Sequence, residues 1–391
     1  MKPSYESVAE SYGAKNVEAP RNSGRATTSK QALQNLNGYE AQRQALAMQP
    51  SSTPNATTQP QLTDSQIQSA ITYNLESHAV SMLIRVRTLL QEEGLLAGSA
   101  PEGGYVDVAP TDICTAAFCR AVAAYQQAND LTGPDGKLGP TTFGLFEALG
   151  MEYGVAGGSN AAGRTIVPKN APADQQYDYF RSVILENNGV FFDRQGYINI
   201  IGIRGGQLGE GNQITHGDNA FNRWNDTLVV LKIDAEGVKH VDVYEGTTDP
   251  GVTRSGVATL PEGTYSYKVG THKDYTAMNP SYSSVTPAVR NGEAYLGREG
   301  RLGSGGAAGI NIHTTHGWNH GKLQGPGAYS EGCAVVNGED RYQQFIEHMT
   351  TSNKSAASGG AGQSVYYYTV LSAAHFGTME VQSQEPTSGP E

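Results

Sequence analysis

Gly309-Ile310-Asn311-Ile312-His313 is an apolar, strand-like run that ends in a histidine, and Ser330-Glu331-Gly332-Cys333-Ala334-Val335-Val336 sets a cysteine among small residues, twenty positions beyond that histidine. A thiol is a weak nucleophile at its ordinary pKa, and a neighbouring imidazole shifts it toward the reactive thiolate. Gly332 has no Cβ, so a substrate carbonyl has room to approach the backbone there. The amides around Cys333 are then candidates to stabilise an oxyanion. The plainer reading of a cysteine is a small buried hydrophobe. The chain has only 3 cysteines, so Cys333 has few rivals. The other two, Cys114 and Cys119, are five apart, a spacing that puts them on opposite sides of one helix. Free thiols are expected.

Composition narrows the function classes. Hydrophobic residues make up 38% of the 391 and glycines number 48, which favours several domains with loops and linkers over one compact body. A net charge of −11 argues against a nucleic-acid partner. No apolar run approaches the roughly 18 residues that a membrane span requires. Met1-Lys2-Pro3-Ser4-Tyr5-Glu6 lacks the apolar core of a Sec signal. A soluble product made in the cytoplasm is expected, with no cofactor.

Working outward, the chain reads as an α+β multidomain protein. Residues 1–62 are polar and aperiodic and read as a disordered arm, with a short docking helix as an option over Leu36 to Pro50. Asp64 or Ser65 starts a helix whose apolar positions Ile67, Ile71, Leu75, Ala79, Met82, Val86 and Leu90 keep helical spacing as far as Gly94. A second helix follows Thr111-Asp112, with Phe118, Val122 and Tyr125 on one face. The turn signals of Gly133-Pro134-Asp135-Gly136 and Gly139-Pro140 precede a third, with Leu145, Phe146 and Leu149. Residues 63–150 therefore form a small all-helical unit, and 151–174 a Gly/Ala/Asn linker. Residues 175–376 read as mostly β. Leu228–Ile233 and Val238–Tyr244 make a hairpin about Asp234-Ala235-Glu236-Gly237, with further strands at 264–269, 310–312 and 364–371 and a short helix over Asp340–Met349. Residues 377–391 read as a disordered tail.

Two resemblances add to this. Ala121-Val122-Ala123-Ala124-Tyr125-Gln126-Gln127-Ala128-Asn129-Asp130-Leu131, then Asp135-Gly136-Lys137-Leu138-Gly139-Pro140-Thr141-Thr142, is similar to the three-helix peptidoglycan-binding domain. The match covers the second half of the helical unit. It implies a shallow groove beside the turn that holds glycan or stem peptide. The later domain resembles the L,D-transpeptidase (YkuD-type) catalytic domain through Pro261-Glu262-Gly263-Thr264-Tyr265, Ile312-His313 and Ser330-Glu331-Gly332-Cys333. That resemblance implies Cys333 as the acyl-accepting nucleophile and His313 as its base, with Thr314 orienting the imidazole through its backbone. Its substrate would be a peptidoglycan stem peptide, attacked at an amide next to a diamino acid.

The sequence departs from that family in places. Glu331 stands where most members have a histidine, and an acidic neighbour raises a thiol pKa. Val335 stands where many carry an arginine for the substrate carboxylate, so Arg254, Lys268 or Arg341 must supply the cation. His316 also fits the family spacing and stays open as the base. His316, Trp318 and His320 lie on a polar loop over the expected site, with Trp318 a candidate substrate contact.

Three functions of different class are consistent with these residues. The first is acyl transfer by Cys333, as L,D-transpeptidase or as L,D-carboxypeptidase or endopeptidase. The second is a zinc-dependent peptidoglycan peptidase built on His313, His316 and His320. Gly317 and Gly321 argue for a loop there, and a helix-borne pair needs His at i and i+4. The third is a non-catalytic wall-binding component of a secretion or injection particle. Peptidoglycan lies outside the cytoplasm, so non-Sec delivery is expected. Gly38-Tyr39-Glu40-Ala41-Gln42 through Pro50 resembles repeats in proteins associated with contractile injection systems, which implies an effector loaded through the N-terminal arm.

Overall fold

The computed structural model describes residues 60–147, 162–220, 222–252, 257–281, 289–290, 301–302, 309–360 and 362–382. The chain divides into two compact units, Met1–Thr57 and Thr58–Glu391, and the described residues all belong to the second. The expected arm, apart from its last residues, lies outside the described residues, as do Arg254 and the tail beyond residue 382.

The described part is α+β, with seven helices and a large mixed sheet. Helix α1 (Asp64–Ser77) starts at a capping box. Gln66 N donates to Thr63 Oγ1 (3.3 Å) and Thr63 N donates to Gln66 Oε1 (2.9 Å). The apolar spacing that reads as one helix to Gly94 is broken at His78, whose backbone is extended, and α2 (Val80–Glu92) begins anew. The buried His78 ring meets Leu138 O at 2.8 Å and stacks on Phe143. Burial holds its pKa down at about 4.

Helix α3 (Pro110–Ile113) is a single turn, and Thr115 caps α4 (Ala116–Ala128). The break between them corrects the expectation for the two cysteines. Cys114 lies outside α4, so its thiol meets that of Cys119 instead of facing away. Both thiols are free and buried. Before α5 (Pro140–Glu147), the turn is fastened by two amides. Gln126 Oε1 accepts from Asp135 N and Gly136 N (both 2.9 Å), and Asn74 Oδ1 accepts from Leu138 N (2.8 Å). Gly136 has φ +74°, and a Cβ there would lie 2.6 Å from Cys119 O. The Asp-Gly-x-x-Gly-Pro pattern is thus a packing requirement of α1, α4 and the turn.

The strands in chain order are β1 (Tyr105–Val106), β2 (Thr165–Val167), β3 (Val190–Phe191), β4 (Ile198–Arg204), β5 (Gly206–Leu208), β6 (Ile214–His216), β7 (Asp226–Ile233), β8 (Lys239–Thr247), β9 (Ala258–Thr259), β10 (Gly263–His272), β11 (Tyr275–Pro280), β12 (Val289–Arg290), β13 (Arg301–Leu302), β14 (Ile312–Thr314), β15 (Ala334–Val336) and β16 (Tyr366–Ser372). Eight of them close a barrel in the order β10-β11-β14-β15-β8-β7-β4-β16. The pairs β14–β15 and β16–β4 are parallel and the other ladders antiparallel. Helix α6 (Ala173–Glu186) packs on β3 and β8. Helix α7 (Glu339–Ala357) runs a full two turns beyond the expected Met349.

The helical part is not a bead on a string. Its buried residues join those of the barrel in one cluster, Leu83 and Val86 with Tyr265 and Tyr367. Thr264 N donates to Ser81 Oγ (3.0 Å), Tyr367 OH donates to Val108 O, and β1 pairs in parallel with β3. The described end of the expected linker is folded too, because β2 pairs with β6 and α6 begins at Ala173. So is the start of the expected tail: Met379 is buried and donates its N–H to Ile166 O (2.8 Å). No helix among the described residues is long and apolar enough to cross a membrane.

Candidate functional site

Strands β14 and β15 lie side by side, with Ile312 opposite Ala334 and His313 opposite Val335. Ile312 and Ala334 face the core. Side chains alternate along a strand, so Asn311, His313 and Cys333 share the other face. The edge just before both strands is tied twice: Ala334 N donates to Asn311 O (3.0 Å) and Asn311 N donates to Cys333 Sγ (3.3 Å).

His313 is buried, and its Nδ1 lies 2.9 Å from Thr314 O. A carbonyl only accepts, so Nδ1 carries the hydrogen and Nε2 keeps its lone pair. Tyr275 OH reaches the same Nδ1 at 3.2 Å. Burial pushes the imidazole pKa down to about 3, so the ring is neutral with the Nε2 lone pair free, and the same burial weakens it as a base. His272 stacks on it, with centroids 4.5 Å apart and planes 10° from parallel. Asn311 Nδ2 donates to His272 Nδ1 (3.0 Å), while Asn311 Oδ1 accepts from Asn279 Nδ2 (2.7 Å).

Cys333 is partly exposed. The expectation that an imidazole draws its thiol toward thiolate is corrected. Among the described residues its sulfur bonds Asn311 N and Gly309 O (3.7 Å), not a histidine. Burial raises the thiol pKa to about 11, the Glu331 charge adds to that, and the Asn311 N–H and Lys273 oppose it. The resting pair is therefore neutral thiol and neutral imidazole.

The loop before Cys333 is held from beneath. Buried Ser330 Oγ lies 2.9 Å from Asp249 O and 2.7 Å from Cys333 O, and Gly251 N donates to Ser330 O (2.8 Å). Gly332 has φ +137°, and a Cβ there would stand 2.5 Å from Ala258 O. Asp249 in turn pairs with buried Arg204 (3.2 Å). Asp226, beside them, accepts from Gly205 N and Thr248 N. Burial and the Asp249 charge raise its carboxyl to about 6.

The remaining candidates separate. His316 stacks on Tyr275 (4.9 Å, 5°) and faces Glu339 Oε1 at 3.6 Å, so it touches the site only through Tyr275. His320 pairs with Glu245 Oε2 (3.1 Å). Among the described residues no group of three or more His, Cys, Asp or Glu is arranged to hold a metal ion. Trp318 is half-buried, and its backbone fixes the loop to Thr315 O and Glu339 N. Glu331 is exposed beside the sulfur, and its carbonyl accepts from Ala258 N. Lys268 is exposed on β10 opposite Asn279. Arg341 is committed to Val243 O and the Tyr244 ring.

Sequence reasoning gave no site role to His272, Lys273, Tyr275 or Asn311. The first three sit at the tip of the β10–β11 hairpin, where His272 and Tyr275 pair across Lys273-Asp274. No Gly, Asn or Pro marks that turn, so the hairpin signal was absent. In the helical part, a cleft of about 360 Å³ is lined by Tyr73, Gln126, Leu131, Lys137 and Thr142, beside the Asp-Gly turn. No family model, curated protein or solved structure matches the chain.

Proposed function

We propose that the protein is a cysteine acyl-transfer enzyme of L,D-transpeptidase type, acting on peptidoglycan stem peptides. The observation that carries this reading is the placement of Cys333 and His313 on one face of adjacent parallel strands, with His313 Nδ1 spent on Thr314 O. In the reaction the thiol proton passes to His313 Nε2 as the sulfur attacks the acyl carbonyl. The imidazolium then protonates the departing amine, leaving a thioester on Cys333. An acceptor amine resolves the thioester by transpeptidation, and water resolves it by hydrolysis. The cleft beside the Asp-Gly turn supplies a second contact with the same polymer, and its polar lining suits a glycan or peptide. Such an enzyme works at the cell wall, reached by a route other than Sec, with a secretion or injection apparatus as the partner of the N-terminal arm.

The test is muropeptide mass spectrometry of purified sacculi treated with the wild-type chain and with Cys333→Ala. Altered stem peptides with the first and none with the second support the reading, and undiminished activity of Cys333→Ala sinks it. The raised thiol pKa favours one other reading, a wall-binding protein with an inert cysteine. It predicts sacculus binding with no mass change for either chain.

A further inference from the structure

A ladder of side-chain amides runs beside Cys333 and His313 and takes no part in the proton transfer described above. It starts at a backbone carbonyl. Asn279 Nδ2 donates to Thr271 O (3.2 Å) and to Asn311 Oδ1 (2.7 Å). Thr271 O can only accept, which fixes the orientation of both amides in turn. Asn311 therefore turns its Nδ2 toward His272 and donates to His272 Nδ1 (3.0 Å). His272 must then carry its hydrogen on Nε2, the opposite tautomer to His313, whose Nδ1 donates to Thr314 O. Gly270 makes room for the ladder, since a Cβ there would collide with Asn279 Oδ1.

The ladder ends in a stack. His272 lies flat on His313, with centroids 4.5 Å apart and planes 10° from parallel. The bond to Thr314 O fixes where one atom of the His313 ring points. The torsion that turns an imidazole about its Cβ has broad wells, so a single bond sets the plane only loosely. A second ring against the face sets it. Asn311 also donates its backbone N–H to Cys333 Sγ (3.3 Å), so one residue holds both the thiol and the stack. We propose that His272 is a positioning residue for His313, mounted by Asn311 and Asn279, which keeps the Nε2 lone pair in one direction during proton transfer. This rests on the acyl-transfer reading and adds a residue that acts through His313.

Two measurements on the full chain test it. The first is nitrogen NMR of the histidine rings, assigned by single substitutions. Wild type should show His272 protonated on Nε2 and His313 on Nδ1. Asn311→Asp sets an oxygen that can only accept against His272 Nδ1, and it should draw a hydrogen onto that nitrogen. A wild-type His272 already protonated on Nδ1, or no change in Asn311→Asp, overturns the mount whether or not the chain transfers acyl groups. The second is turnover of a soluble muropeptide. His272→Ala should cut kcat about thirtyfold and leave KM unchanged, whereas His272→Phe, which keeps a flat ring on His313, should stay within about threefold of wild type. Wild-type kcat in His272→Ala, a rise in KM alone, or His272→Phe no better than His272→Ala overturns the positioning role while acyl transfer stands. A wild-type chain that leaves the muropeptide unchanged overturns acyl transfer, and the role of His272 with it.

Discussion

At the scale of single residues, the site combines a thiol held up at about 11 with an imidazole held down at about 3. Each is neutral at physiological pH, and each is shifted first of all by burial. Thiolate forms only as pH climbs toward the folded value. The alkylation rate of Cys333 should therefore rise about tenfold per pH unit from pH 7 upward, with no plateau near neutrality. The rate constant for iodoacetamide, followed by mass mapping, checks this, and a rate already level at pH 7 would refute the neutral pair. His313 should add no step near pH 6.5, because its ring loses its proton far below that. Cys333 and His313 were legible in the sequence because small residues flank one and a strand ends at the other. The tuning of both groups was not, since it comes from burial under His272 and Tyr275, residues some forty and more positions earlier in the chain.

At the scale of elements, the decisive piece is the loop from Ser330 to Cys333. Its backbone at Gly332 is open to glycine alone, and Ala258 O occupies the place of a side chain. Gly332→Ala should cost about 1–3 kcal/mol of stability and abolish turnover, because the loop must lift off Ala258 and carry Cys333 with it. Thermal unfolding and muropeptide turnover measured together check this; wild-type turnover would show that the loop shifts without moving the sulfur. The strands on either side were readable from alternation and from β-branched residues. The break at His78 was not, because the apolar spacing of Ile67 to Leu90 continues across it. What decides the break is a distant carbonyl, Leu138 O, which receives the buried ring. The same limit hid the junction of α3 and α4, and with it the meeting of Cys114 and Cys119.

At the scale of the whole second unit, helices and barrel share a core, so they should unfold together. Calorimetry should show one transition in which no helical part melts ahead of the barrel, and two resolved peaks would contradict the shared core. Arg204→Met should lower that transition strongly, by about 3–5 kcal/mol, because buried Asp249 loses the guanidinium 3.2 Å away and the Ser330 loop rests on Asp249. Denaturant titration checks the magnitude. The N-terminal helices and the C-terminal barrel were separable in the sequence by composition, whereas their fusion rests on contacts such as Ser81 with Thr264, which no local pattern signals. The ring of eight strands carries one more implication. A circular sheet has no first or last member, but this one closes on short ladders: β15 pairs with β8 only at Gly246 and Thr247, and β14 with β11 only at Met278, so β8 from Lys239 to Tyr244 has a strand ladder with β7 alone. The smaller sheets among the described residues are built of strands two or three residues long. An incoming strand would meet that stretch of β8, where the Arg341 guanidinium already donates to Val243 O and sets a charge against edge pairing.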